Sequence, residues 1–353
     1  MAKSPERYTP IACPTSGGFS DVTCCLDSHL ERKVAIKFIK DEAEKKRILD
    51  ELHALLQMRS KHVVQVYDVV QGENDAIGIV EEFIEGEDLW DSDFPRQSSE
   101  NYLKTLWQIA AGIADIHTAG VIHRDIKPNN MKLDVEGIVK IFDFGLAKDA
   151  GMDAKTKGFK GTQGFAAPEL FGHATVAFTA AIDTYAYGAT AIFLANHDLP
   201  PSMIKFPPES SIGSLFSKLP ITIPPDLVGL LDKCLMQEPS QRPSMITVRD
   251  SLARHLLRDK HQALAVNKGK AYVINAAKRA AGFDYSGVGK IEIAYDGLTF
   301  SVHVATGEVF INNAPAKPGE RIPGSCVVTL GDASRQNKRA YITFDVSNPE
   351  VVL

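Results

Sequence analysis

Between residues 123 and 145 the chain gathers side chains suited to phosphate chemistry. His123-Arg124-Asp125-Ile126-Lys127-Pro128-Asn129-Asn130 is followed, after the strand-like run Ile138 to Ile141, by Asp143-Phe144-Gly145. Asn130 offers a neutral amide oxygen and Asp143 a carboxylate. These are the hard oxygen ligands that magnesium takes while keeping substrate phosphates in its octahedron. Phosphoryl transfer needs the phosphates held, the metal fixed and the attacking hydroxyl aimed in line, because its loose transition state leaves the protein mostly positioning and electrostatics. Any one of these residues alone is more often an ordinary loop residue, so their order along the chain carries the reading.

Such groups need elements to position them. Lys37 lies in the run Lys33 to Ile39, which alternates charge with Val34, Ala35 and Ile36 and predicts a strand. It follows a hairpin within residues 11–38 that is broken at Ser16-Gly17-Gly18. From Asp41 to Met58, Ile48, Leu52, Leu55 and Leu56 recur at helical spacing, which predicts an amphipathic helix carrying Glu51. Val63 to Val70 and Ile77 to Ile84 read as two more strands. Composition turns helical from Ser99 through His117, so a β part gives way to a mainly α part near Gly86 and helical patterns continue to about Leu257.

In this order the motifs resemble the eukaryotic-type serine/threonine protein kinase family, over about residues 8–257. The resemblance implies that Asp125 orients a substrate hydroxyl and takes its proton late, and that Lys127 neutralises the transferring phosphate and favours Ser or Thr acceptors. It implies ATP bound with Mg2+, or Mn2+ in its place, on Asn130 and Asp143. Lys37 would contact the α and β phosphates and pair with Glu51. Gly17, Gly18, Phe19 and Val22 would form the loop over the phosphates, although Thr15 and Ser20 replace its outer glycines. Ala35 would cover adenine, and the backbone of Glu82-Phe83-Ile84-Glu85-Gly86 would bind its edge at Glu82 and Ile84. Glu81, bordering the deep pocket, departs from the family's usual apolar or Thr residue. Ala167-Pro168-Glu169 closes the segment begun at Asp143, with Arg242 as ion-pair partner of Glu169, while Asp183 braces the loop at Asp125. Thr162 would support the acceptor site. Arg124 places a fixed cation where a phosphate on Thr156 would order the loop from Ala147 to Gly161. A catalytically silent nucleotide-binding scaffold is the alternative, favoured by the altered glycine loop and Glu81, opposed by the intact Lys37, Glu51, Asp125, Asn130 and Asp143.

The expected fold class is α+β: a two-lobed catalytic domain over residues 8–258, a helical and polar connector over 259–288, and a small all-β sandwich over 289–353. Strand-length runs at Ile291 to Tyr295, Leu298 to Val304, Val309 to Asn312, Cys326 to Leu330 and Ala340 to Val346 carry the last of these. Thr306-Gly307 through Asn312-Asn313, then Gly319, Ile322 and Val327 to Gly331, resemble the second half of a forkhead-associated domain. That likeness implies phosphothreonine-containing partners, but the phosphate-gripping loops are not recognisable between Leu264 and Gly289. A module that docks on the catalytic domain or recruits a partner is the other expectation.

Composition is that of a folded globular chain. The 353 residues are 44% hydrophobic and 24% charged, enough for a large core. A net charge of -5 leaves no basic footprint for nucleic acid or an anionic membrane. The five cysteines form an odd, widely spaced set, for which a reducing cytoplasm is the simplest compartment. No run approaches the roughly 20 apolar residues of a membrane span, and the amino terminus lacks a signal-peptide core.

Overall fold

The computed structural model describes residues 7–11, 22–39, 56, 58–72, 76–143, 148–149, 155–156, 163–171, 176–205, 207–209, 213–347 and 351. The chain divides into two compact units, Met1–Leu252 and Ala253–Val352. Of the helix expected over 41–58 only Leu56 and Met58 are among the described residues, and Gly17, Gly18 and Phe19 of the glycine loop lie outside them.

In the first unit, β1 (Tyr8–Pro10), β2 (Val22–Asp27), β3 (Arg32–Ile39), β4 (Val66–Gln71) and β5 (Ile77–Glu82) form an antiparallel sheet of order β1-β2-β3-β5-β4. Side chains alternate across a sheet, and the register assigns the two faces. Tyr8, Cys25, Val34, Ile36 and Val80 cluster on one. Val22 lies opposite Lys37 and Cys24 opposite Ala35, while β5 sets Ile79 opposite Lys37 and Glu81 opposite Ala35. The second face therefore carries Val22, Ala35, Lys37 and Glu81 together. The strand expected from Val63 begins at Val66; before it, Val63 makes only an isolated bridge to Ile141.

After β5 the chain turns through β6 (Gly86–Asp88) into the helical part. Gly86 has φ +153, and a Cβ there would sit 2.0 Å from the Leu133 carbonyl oxygen, so glycine is what lets this strand approach. Helix α1 (Ser99–Thr118) starts at Ser98, whose Oγ accepts from the Asn101 amide at 3.0 Å. Leu103, Leu106, Ile109, Ala110, Ile113 and Ile116 are its buried stripe at helical spacing. Then come β7 (Val121–Ile122), β8 (Met131–Asp134) and β9 (Val139–Ile141), with β6-β8-β9 forming a three-stranded sheet. Short pairs follow: β10 (Lys148–Asp149) on β7, and β11 (Lys155–Thr156) on β12 (Val176–Ala177). Helix α2 (Ala181–Asn196) is apolar almost all round and buried accordingly. Tyr102 Oη donates to the Ala191 carbonyl at 2.8 Å and Tyr187 Oη to that of Leu106 at 3.2 Å, tying α1 to α2. Helices α3 (Pro201–Ile204), α4 (Pro225–Cys234) and α5 (Met245–Leu256) complete the helical part.

The second unit is all-β. Its strands are β13 (Ala263–Asn267), β14 (Lys270–Ile274), β15 (Ala280–Tyr285), β16 (Gly289–Tyr295), β17 (Phe300–Gly307), β18 (Val309–Ile311), β19 (Ala314–Pro315), β20 (Ser325–Leu330) and β21 (Ala340–Val346). A six-stranded sheet of order β14-β13-β21-β20-β18-β19 and a three-stranded sheet β15-β16-β17 share one core that includes Ile291, Ile293, Val302, Val328, Ile342 and Phe344. Residues 259–288 are thus not a helical connector. An Ala-rich composition suggests a helix, but Ala263 and Ala265, then Ala281 and Phe283, are buried at every second residue, the period of a strand. Lys268 (φ +48) and Gly269 (φ +75) make the tight left-handed turn joining β13 to β14.

No paired cysteine was expected, yet Cys24 is disulfide-bonded, while Cys25, Cys234 and Cys326 are free and buried. Among the described residues no helix is long and apolar enough to cross a membrane.

Candidate active site

The loop between β7 and β8 is shaped by a buried carboxylate. Asp183, in the first turn of α2, accepts the His123 amide on Oδ2 and the Arg124 amide on Oδ1, both at 2.8 Å, and its Oδ2 also meets His117 Nε2 at 2.9 Å. Burial pushes its carboxyl up, but His117, His123 and the Arg124 amide outweigh this and hold it below the ordinary value. Arg124 is thereby kept at φ +70, a conformation that side chains seldom adopt. His123 receives the Asp125 amide on Nδ1 at 3.3 Å and donates from Nε2 to the Phe142 carbonyl at 3.1 Å. Burial lowers its pKa, in keeping with this neutral tautomer.

The loop presents Asp125. Its Oδ2 takes Lys127 Nζ at 2.8 Å and Asn130 Nδ2 at 2.9 Å, and Asn130 Nδ2 also donates to the Asp125 carbonyl at 2.8 Å. With its nitrogen committed, the Asn130 amide has its oxygen for a cation. The Phe142 amide donates to the Asn130 carbonyl at 3.0 Å, so the strand leading to Asp143 is fastened to the same loop. Asp143, at φ +63, forms an ion pair with Lys37. Asp125, Lys127, Asn130, Asp143 and Lys37 are thus linked from the helical part to β3.

Glu81 shares the sheet face of Lys37 and is half-buried. Burial pushes its carboxyl up to about 7, with Lys37 pulling it back and Asp143 adding to the rise. A folded-state value above the ordinary 4.5 means that its contribution to stability is complete below that pH and lost as pH rises through about 7. Glu81→Gln is expected to gain thermal stability over wild type as pH is raised across that window. Parallel melting curves against pH for the two proteins would refute this.

Glu82, the last residue of β5, and Phe83 and Ile84 beyond it are half-buried, and Glu85 pairs with Lys33. Val22 and Ala35 lie on the Lys37 face. Deeper in the helical part, Arg242 has a side chain with no exposure. It grips Glu169 at 2.7 and 2.8 Å and donates to the Ala181, Met236 and Gln237 carbonyls. Thr156 pairs through its backbone with Val176 in β12, and Arg124 lies 4.0 Å over the ring of Phe178, two residues further on. Gly17, Gly18, Phe19, Glu51 and Thr162 fall outside the described residues.

Two contributors escape sequence reasoning. His117, at the end of α1, supports Asp183 from a position without any local motif. Lys140 flanks two core residues in β9, where alternation calls for an outward, solvated side chain; instead it is 9% exposed and paired with Glu82.

The class these constraints describe is a phosphotransferase. Residues 15–257 match the protein kinase domain, and the chain belongs to that family. It is 29% identical to mitogen-activated protein kinase 10 of Arabidopsis thaliana, across 73% of this chain and 75% of that one. It is 30% identical to a probable serine/threonine-protein kinase of Dictyostelium discoideum, across 67% of this chain and 40% of the relative. A probable serine/threonine-protein kinase of Clostridium perfringens is 34% identical across 46% of this chain and 25% of the relative. These relatives place it among the protein serine/threonine kinases, ATP-binding enzymes that use a divalent metal; the chain spans less than half the length of the latter two.

Proposed function

We propose that this chain transfers the γ-phosphoryl group of MgATP to serine and threonine hydroxyls of proteins, its own included. The observation that carries this is the bracket on Asp125: Lys127 Nζ and Asn130 Nδ2 converge on its Oδ2, holding the carboxylate in place to orient a substrate hydroxyl. As the hydroxyl oxygen bonds to the γ-phosphorus, the bridging P–O bond breaks, ADP leaves with the electron pair, and the proton passes to Asp125. Lys127 stands beside it to offset charge on the transferring group.

Asn130 and Asp143 fit Mg2+, or Mn2+, as a carbonyl and a carboxylate oxygen donor. The ion would neutralise phosphate charge. Lys37 serves the α and β phosphates, with Glu51 its helix partner. Gly17, Gly18, Phe19 and Val22 cover the phosphates, Ala35 lies over adenine, and Glu82 and Ile84 offer backbone groups to its edge. The five-stranded sheet and the helical part act as two lobes of a catalytic domain over residues 8–258. Thr162 supports the acceptor, and Thr156 is a switch whose phosphate Arg124 would hold. The β unit recruits partners, phosphothreonine proteins among them, in the cytoplasm.

The test is incubation of the full chain with γ-labelled MgATP and a generic protein substrate, followed by phosphoamino-acid analysis. Label on serine and threonine is expected, with Thr156 among the mapped sites. ATP binding without any transfer would favour a scaffold, and label confined to tyrosine would sink the acceptor assignment.

A further inference from the structure

Lysine is rarely buried unless paired, because removing its ammonium from water costs several kcal/mol. Lys140 is such a case, and its partner is informative. Its Nζ lies 2.8 Å from Glu82 Oε1 and 3.0 Å from Oε2, with both side chains largely enclosed. Glu82 pairs with Val34, so it belongs to the sheet face opposite Ala35 and Lys37. Its side chain therefore points away from the nucleotide face while its backbone remains at the end of β5. The same carboxylate accepts the Gln65 amide at 3.2 Å, and the Glu82 amide donates to the Gln65 carbonyl at 2.8 Å. The stretch before Gln65 is joined to β9 in turn: the Ile141 amide donates to His62 and the Val64 amide to Ile141, both at 2.9 Å. Three chain segments thus meet at one ion pair, and β9 runs from it through Phe142 to Asp143.

We propose that Lys140 is a positioning residue for nucleotide binding, acting through Glu82. The pair fixes the strand end whose backbone faces adenine against the strand that delivers the metal-binding aspartate. The two ends of one nucleotide are thereby held at a set separation. This rests on the kinase reading above and adds to it a determinant of affinity that touches no substrate atom.

The experiment measures ATP affinity by calorimetric titration of the full chain, alongside kcat and KM, for wild type, Lys140→Met, Lys140→Arg, Glu82→Gln and the Lys140→Met/Glu82→Gln double variant. Lys140→Met is expected to weaken ATP binding about tenfold, with kcat changed less than about threefold. Arginine should restore most of the affinity, since it can still pair. The double variant should bind no worse than the poorer single one, the sign of a coupled pair. A Lys140→Met protein that melts earlier yet binds ATP like wild type would make the pair merely structural and overturn the proposal, as would a loss confined to kcat. Should Lys140→Met fail to fold, Lys140→Arg and Glu82→Gln decide alone: unchanged affinity in Glu82→Gln overturns it. Wild type that binds no ATP overturns the kinase reading as well, which separates the two failures.

Discussion

Asp125→Asn is expected to lower phosphoryl transfer about a thousandfold while ATP affinity stays within about threefold, since proton acceptance by a positioned side chain is worth roughly 10² to 10⁴ in rate. The substitution keeps the size of the side chain, so the loop held by Asp183 should persist. What changes is the chemistry of one atom pair. An amide cannot take the proton of the attacking hydroxyl. If its NH2 group occupied the Oδ2 place, it would face two other donors, Lys127 Nζ and Asn130 Nδ2; if its oxygen did, a donor would face the substrate instead. Turnover and ATP titration on the same preparations check this. A variant that retains a tenth or more of wild-type turnover would remove Asp125 from the chemistry.

Arg242→Met should produce the largest loss of stability of any single change in the first unit, about 3–5 kcal/mol. The guanidinium makes two bonds to Glu169 and three to carbonyls around it, and methionine, though similar in length, replaces none of them. Glu169 would be left enclosed without its cation, which costs more than the lost bonds themselves. For a unit of this size the midpoint of melting should fall by about 10 °C. Arg249→Ala, at an exposed pair with Asp250, is the control and should shift it by less than about 2 °C. Equal shifts in the two variants would show that burial of the Arg242 pair is not what matters.

How much of this was legible in the sequence depended on distance along the chain. Asp125, Lys127 and Asn130 stand close together because one short loop must present several functional groups at once, so residue type and spacing expose them. Arg242 and Glu169 were legible for a similar reason, each lying in a compact motif. The pairing of Lys140 with Glu82 was not, since 58 residues separate them and neither strand signals the other. In β13 to β15 the obstacle was chemical: alanine, lysine and glycine say little about period until a partner strand buries every second residue. The left-handed backbone at Arg124 and Asp143 was equally hidden, because it is imposed by bonds from α2 and the neighbouring loop rather than by residue type.

The pairing of β13 with β21 sets Ala263 directly opposite Val346, at the two ends of the β unit. Hydrogen bonds in an antiparallel ladder lie across the strands. Tension applied between those two ends would therefore pull along the bonds and load one rung at a time, as in an opening zipper, instead of shearing all five rungs together. As a mechanical element in a longer assembly, the unit would yield at low force from its own seam while the rest of its core was still intact.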